Sequence, residues 1–177
     1  SAVVGGLPAQ QAFEKAQAAF SGIRFDTLRI GDFTSSDLAA VHDLKSRTMP
    51  LELGQVDAFL SHSWRDDHVA KWAVLEAWAA KFSARRGGAS PILWLDKACI
   101  DQQDISESLA CLPVFLAGCQ KLLIVAGPTY SSRLWALPCA WNPAFRTTPG
   151  ELASLRRQCL MEIFTFVQMG GSRERIV

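Results

Sequence analysis

An α/β fold built on a central parallel sheet is predicted by three observations. Two apolar runs, Val56-Asp-Ala-Phe-Leu-Ser-His-Ser-Trp64 and Leu93-Trp-Leu-Asp-Lys-Ala-Cys-Ile-Asp-Gln102, break abruptly into polar and ionisable residues. A buried strand does this where its carboxyl end opens into a loop. A third run, Lys121-Leu-Leu-Ile-Val-Ala126, is apolar after its first residue. Helical segments separate the three, and strands alternating with helices imply parallel pairing with right-handed crossovers. Polar residues at two neighbouring strand ends suggest a site as well as a core.

The bulk numbers fit such a domain. The chain has 177 residues, 49% hydrophobic and 20% charged, enough for one domain with a real core. A net charge of +1 gives no electrostatic reason to expect nucleic acid or an anionic membrane. No apolar run approaches the ~20 residues of a membrane span. The chain opens on Ser without a basic-then-apolar leader and reads as a piece of something longer. Cys99, Cys111, Cys119, Cys139 and Cys159 form no C-x-x-C pair and have no His at zinc spacing. They read as reduced, buried thiols, which favours a cytoplasmic setting.

Along the chain, residues 8–21 are rich in helix formers, with Pro8 at their start and Gly22 just past their end. Residues 25–30 alternate apolar and polar, as an edge strand or extended linker would. Ser35 and Ser36 precede a short helix over 37–45, and Pro50 to Gly54 punctuates the chain. Residues 1–54 are therefore expected to form a helical extension packed on a domain spanning 55–177. Within that domain, 56–61 is the first strand, and Asp66 or Asp67 can cap the helix that follows. Trp72, Leu75, Trp78 and Phe82 give this helix its apolar face. Residues 92–95 form the second strand. A helix over 106–119 carries Pro113, which should kink it or reset its start. The strand over 121–126 reads as central because it is apolar.

The last third is irregular. Residues 136–158 hold Pro138, Pro143 and Pro149, and Glu151 is their one acid against Arg146, Arg156 and Arg157. With these 23 residues removed, Ser132-Arg-Leu-Trp135 joins Cys159-Leu-Met-Glu-Ile-Phe164 as one amphipathic helix. The segment therefore reads as an insertion into a helix, since structureless loops of that length are uncommon in compact domains.

At these residues the chain resembles a family. Asp57-Ala-Phe-Leu-Ser-His-Ser-Trp-Arg-Asp66 looks like the first box of a TIR domain (Toll/interleukin-1 receptor/resistance protein). Trp94-Leu-Asp-Lys-Ala-Cys-Ile-Asp-Gln102 is similar to the signature of the related heterokaryon-incompatibility domain. Ser132 to Trp135 joined to Cys159 to Glu162 matches the TIR helix motif S-x-x-x-C-x-x-E once the insertion is skipped. The resemblance spans about residues 55–177. It implies a flavodoxin-like three-layer sandwich, interrupted at 136–158. Such a fold uses about five parallel strands, and residues 173–177 supply at most a fourth, so the sheet is expected to be truncated at the carboxyl end.

The resemblance also implies a function. Many TIR domains associate with one another to pass on immune or cell-death signals, and some cleave NAD at the nicotinamide–ribose bond. The carboxylate of that reaction carries over to Glu162, which would stabilise an oxocarbenium-like transition state and hydrogen-bond the ribose. Ser61, His62, Ser63 and Trp64 would line the mouth of the first strand, with Trp64 able to stack on a flat ring. Asp96, Lys97 and Asp101 occupy the position of the family's mobile BB loop, where Lys97 can meet a phosphate. Ser132 and Trp135, at the start of the interrupted helix, complete the ligand-lining set. No resident cofactor is implied; NAD enters as a substrate.

Plainer roles stand beside these. From the residues alone Glu162 reads as a solvated surface acid. His62 has no acid spaced to complete a triad and reads as a loop hydrogen-bonding group. Asp57 and Asp96 suit turn caps, Trp72, Trp78 and Phe82 suit the core, and Cys159 has nothing adjacent to lower its pKa. The first reading is thus a signalling module that associates with itself or another TIR-like domain. An NAD nucleosidase using Glu162 is the alternative, weakened because the insertion interrupts the helix that presents the acid. A nucleotide-binding sheet without catalysis ranks third, for want of a Gly-rich phosphate loop.

Overall fold

A computed structural model describes residues 3–4, 7–34, 38–101, 108, 110–130 and 162–177. The insertion at 136–158, Ser132, Trp135, Cys139 and Cys159 lie outside the described residues.

The two-residue strands β1 (Val3–Val4) and β2 (Leu7–Pro8) pair antiparallel and lead into helix α1 (Ala9–Ala19). Strand β3 (Ser21–Arg24) follows, then short 3-10 turns at Phe25–Thr27 and Ile30–Phe33, helix α2 (Leu38–Ser46) and strand β4 (Thr48–Pro50). Next come β5 (Val56–His62), α3 (His68–Arg85), β6 (Ile92–Trp94), a single turn α4 (Asp96–Cys99), α5 (Leu112–Ala117) and β7 (Cys119–Val125). The described part of the last helix, α6, covers 162–168.

The molecule is α/β, with a five-stranded mixed sheet in the order β4-β3-β6-β5-β7. The β6–β5 and β5–β7 pairs are parallel: Ala58 lies opposite Leu93, and Val56 to His62 run beside Cys119 to Val125. The three expected parallel strands are therefore neighbours, with the first in the middle. All seven residues of β5 are buried, so both faces of this strand are covered. The crossovers from β5 to β6 and from β6 to β7 run in opposite directions across the sheet. Right-handed connections then place α3 and α5 on opposite faces.

Several expectations are corrected. The first 54 residues do not merely pack on the sheet, because β3 and β4 extend it: β3 pairs antiparallel with both β4 and β6. The strand near residue 25 lies earlier, at Ser21–Arg24, because Phe25 to Thr27 close a 3-10 turn. Gly22 permits this docking, since a Cβ there would lie 2.7 Å from the Ile92 side chain. Pro113 resets a helix start at Leu112, and Cys119 belongs to β7 rather than to that helix. The third strand is not central; it ends the five-strand order, beyond β5. The outer side of β7 meets the chain end, where Ile176 bridges Leu122 in parallel and Val177 exchanges backbone bonds with Leu122 and Ile124, both 2.9 Å.

The buried stripe of α3 is rotated by about a residue from the expected one. Lys71, Leu75 and Ala79 are buried, while Trp72, Trp78 and Phe82 are half-buried. Asp67 is the N-cap, accepting from the Ala70 N–H at 2.7 Å. The core is tied across elements by stacked rings. Phe59 and Trp94 lie 4.4 Å apart at 12°, Trp94 meets Phe115 of α5, and Phe115 meets Phe20 behind α1. Such pairs add about 0.5–1.5 kcal/mol each beyond area burial, so the N-terminal segment is bound by packing as well as by strand pairing.

Candidate functional site

The carboxyl ends of β5, β6 and β7 bring together most of the expected residues. Ser61 and His62 end β5, Ser63 and Trp64 open its loop, and Asp96 and Lys97 start the turn after β6. The loop after β7 supplies Gly127, Thr129 and Tyr130. The Ser61 and Tyr130 hydroxyls lie 3.0 Å apart, and Ser63 Oγ and Thr129 Oγ1 2.7 Å. Asp66 Oδ1 accepts from the Thr129 N–H at 2.8 Å. These bonds join the β5 and β7 loops at the point where strand order reverses, the usual ligand position in open α/β sheets. Gly127 makes the join possible, because a Cβ there would run into the Asp66 carboxylate.

On the β6 side the centre is the Trp64 ring. Its Nε1–H donates to Asp96 Oδ2 at 3.1 Å, which fixes the indole over the strand ends. Asp96 thus ties two loops together and also accepts from the Lys97 N–H; it is the first residue of this turn, whose N-cap is Leu95, so the expected capping role is not the one it takes. Two ammonium groups lie against the ring, Lys71 Nζ at 5.6 Å and Lys97 Nζ at 5.3 Å from its centroid, within cation–π range. Lys71 is buried and donates to the Ser63 carbonyl at 2.7 Å. His62 is buried edge-on to Trp64 and Phe33, with centroids 4.3 and 5.7 Å away, a ring environment rather than an open loop.

Phe33 comes from the N-terminal segment and closes the arrangement. It is 3% exposed, stacked on Trp64 at 6.0 Å and 28°, and tilted against Trp72. Its 3-10 turn is held by Asp32, which pairs with Arg47 through both guanidinium nitrogens at 2.6 and 3.0 Å and accepts from the Arg29 N–H. Hydrogen bonding to Asp32 raises the Arg47 pKa above its ordinary value. Lys97 Nζ adds a bond to the Asp32 carbonyl at 2.9 Å.

Asp101 and Asp57 stand elsewhere. Asp101 is exposed and pairs with Lys45 at 3.5 Å. Asp57 lies at the opposite end of β5, where Oδ2 accepts from the Ile92 N–H at 2.9 Å, so its role is to join strands. Glu162 opens the described part of α6 and is 4% exposed, which corrects its reading as a solvated acid. The same helix sends Phe166 into the core. Among the described residues no group of three or more His, Cys, Asp or Glu is placed to hold a metal ion. No helix among them is long and apolar enough to cross a membrane.

Phe33, Lys71, Asp66, Thr129 and Tyr130 were not expected at the site. Lys71 had a readable signal, since it shares the i, i+4, i+8 stripe of Leu75 and Ala79. Phe33 had none, because its partners are about 30 or more residues away. Comparison with protein-family models, with curated proteins and with solved structures finds no match to this chain.

Proposed function

We propose that the chain is a TIR-like signalling module that acts by association with itself or a similar domain. Its parallel strands run second, first, third, and the chain end aligns outside the third, the order of a flavodoxin-like sheet. The observation that carries association over catalysis is Phe33. The seat on Trp64 that a flat substrate ring would take is filled by the chain's own side chain. An associating surface needs no open seat. Asp101 is exposed, stands where the resemblance puts the BB loop, and is the proposed contact. Sedimentation of the full chain should show concentration-dependent association that Asp101→Lys weakens. A chain that stays monomeric at every concentration tested would remove the reading.

One observation favours the second reading, cleavage of NAD between nicotinamide and ribose: the burial of Glu162. A carboxylate withdrawn from water costs several kcal/mol unless its surroundings compensate, so its place is specified rather than incidental. In this reading Glu162 carries the negative charge that steadies the ribosyl cation as nicotinamide leaves. Glu162→Gln should then lower nicotinamide release by roughly 100-fold or more, the scale of a lost electrostatic contact at a transition state. Equal release by both proteins would end this reading.

A further inference from the structure

The geometry points to residues 29–34 as a latched plug over the strand-end site, with the Arg47–Asp32 pair as its latch. This inference rests on the reading of the strand ends as the ligand site and adds how access to them is controlled.

Phe33 is the only part of this turn that is buried; Arg29, Ile30, Gly31 and Thr34 are exposed. The turn is a single stretch of 3-10 helix, bounded by the backbone bonds from Asp32 N–H to the Arg29 carbonyl and from Thr34 N–H to the Gly31 carbonyl. It is not part of the sheet. One apolar ring and a set of polar ties at Asp32 hold it down, and the largest tie is the ion pair to Arg47. The two side chains of that pair are 14% and 11% exposed, so it is shielded from solvent more than a surface pair. Arg47 also bonds the Thr27 carbonyl and the Asp43 carboxylate. It therefore joins α2 to the segment that carries Phe33, so a movement of α2 would be passed to the plug. With Phe33 withdrawn, one face of Trp64 and the Lys71 ammonium would be bared together. An aromatic platform beside a cation suits a planar ring carrying a phosphate.

Two arms test this on the full chain. In the first, amide hydrogen exchange over 29–34 and acrylamide quenching of Trp64 (the protein minus its Trp64→Phe variant) are compared with Arg47→Gln. Exchange should rise on the order of tenfold, as loss of a charged hydrogen-bonded pair allows, and quenching should rise with it while near-ultraviolet dichroism is kept. Asp32→Asn should act in the same direction. Unchanged exchange, or loss of the dichroism signal in both variants, would show that the turn is a fixed part of the core and overturn the inference. In the second arm, NAD is titrated calorimetrically into both proteins. A ligand admitted only by the open form gains affinity by the factor by which opening rises, so Arg47→Gln should bind NAD tighter by about that factor. Equal affinity with no change of exchange on binding would overturn the plug. Opening without NAD binding to either protein would uphold the latch and remove NAD as the site's ligand.

Discussion

Cys99 ends the turn after β6 at 8% exposure, and burial pushes its thiol up to about 12. Cys119, buried at the start of β7, is raised in the same direction and for the same reason. The unfolded chain loses these protons near the ordinary thiol range while the folded chain keeps them. The Cys99 contribution is thus fully present below about pH 8.5 and falls as pH rises toward 12, by up to about 1.4 kcal/mol per pH unit, and that of Cys119 falls in the same direction. Urea midpoints measured at rising pH should fall less steeply for Cys99→Ala than for the parent. Neither thiol should react with a disulfide reagent in the native state at neutral pH, because the thiolate is the nucleophile. Cys99, Cys111 and Cys119 are free and buried, as their scatter among apolar residues suggested.

Among the elements, the joining of the β5 and β7 loops depends on Gly127. Gly127→Ala places a methyl group against the Asp66 carboxylate, so Asp66 must leave Thr129 or the loop must shift. A cost of about 1–3 kcal/mol is expected, measured as a shift in denaturant midpoint, with the Ser63–Thr129 contact disturbed alongside. The three parallel strands and α3 were legible because apolar runs and helical spacing are local properties. The rotation of the α3 stripe was less so. Tryptophans draw the eye to 72 and 78, yet the aliphatic stem of Lys71 can enter a core if its ammonium finds a carbonyl, as it does at Ser63. Strands β3 and β4 were illegible for a different reason. Four and three residues carry little periodicity; β3 is placed by pairing with β6, some 70 residues away in sequence, and β4 by pairing with β3.

For the whole molecule, the N-terminal third cannot be treated as an appendage. It supplies two of the five strands, the Phe20 ring at the end of the aromatic column and the Phe33 ring at the site. A chain beginning at residue 55 would expose β6 on one edge and bare Leu93, Trp94 and Trp64. It should lose cooperative thermal unfolding and its near-ultraviolet dichroism, whereas an independent domain would keep both. The site was readable to the extent that it sits at strand ends, which gave Ser61, His62, Ser63, Trp64, Asp96 and Lys97. What covers it was not readable, because Phe33 reaches Trp64 only through the folded path of the N-terminal segment.

The short antiparallel border of the sheet has a further consequence. An exposed strand edge is a template for pairing with another chain, and proteins blunt such edges with short strands and proline. Here β4 is three residues long and ends in Pro50, which has no N–H to offer. Fibril-like growth through this border is therefore disfavoured, and copies of the chain that gather are expected to meet away from β4.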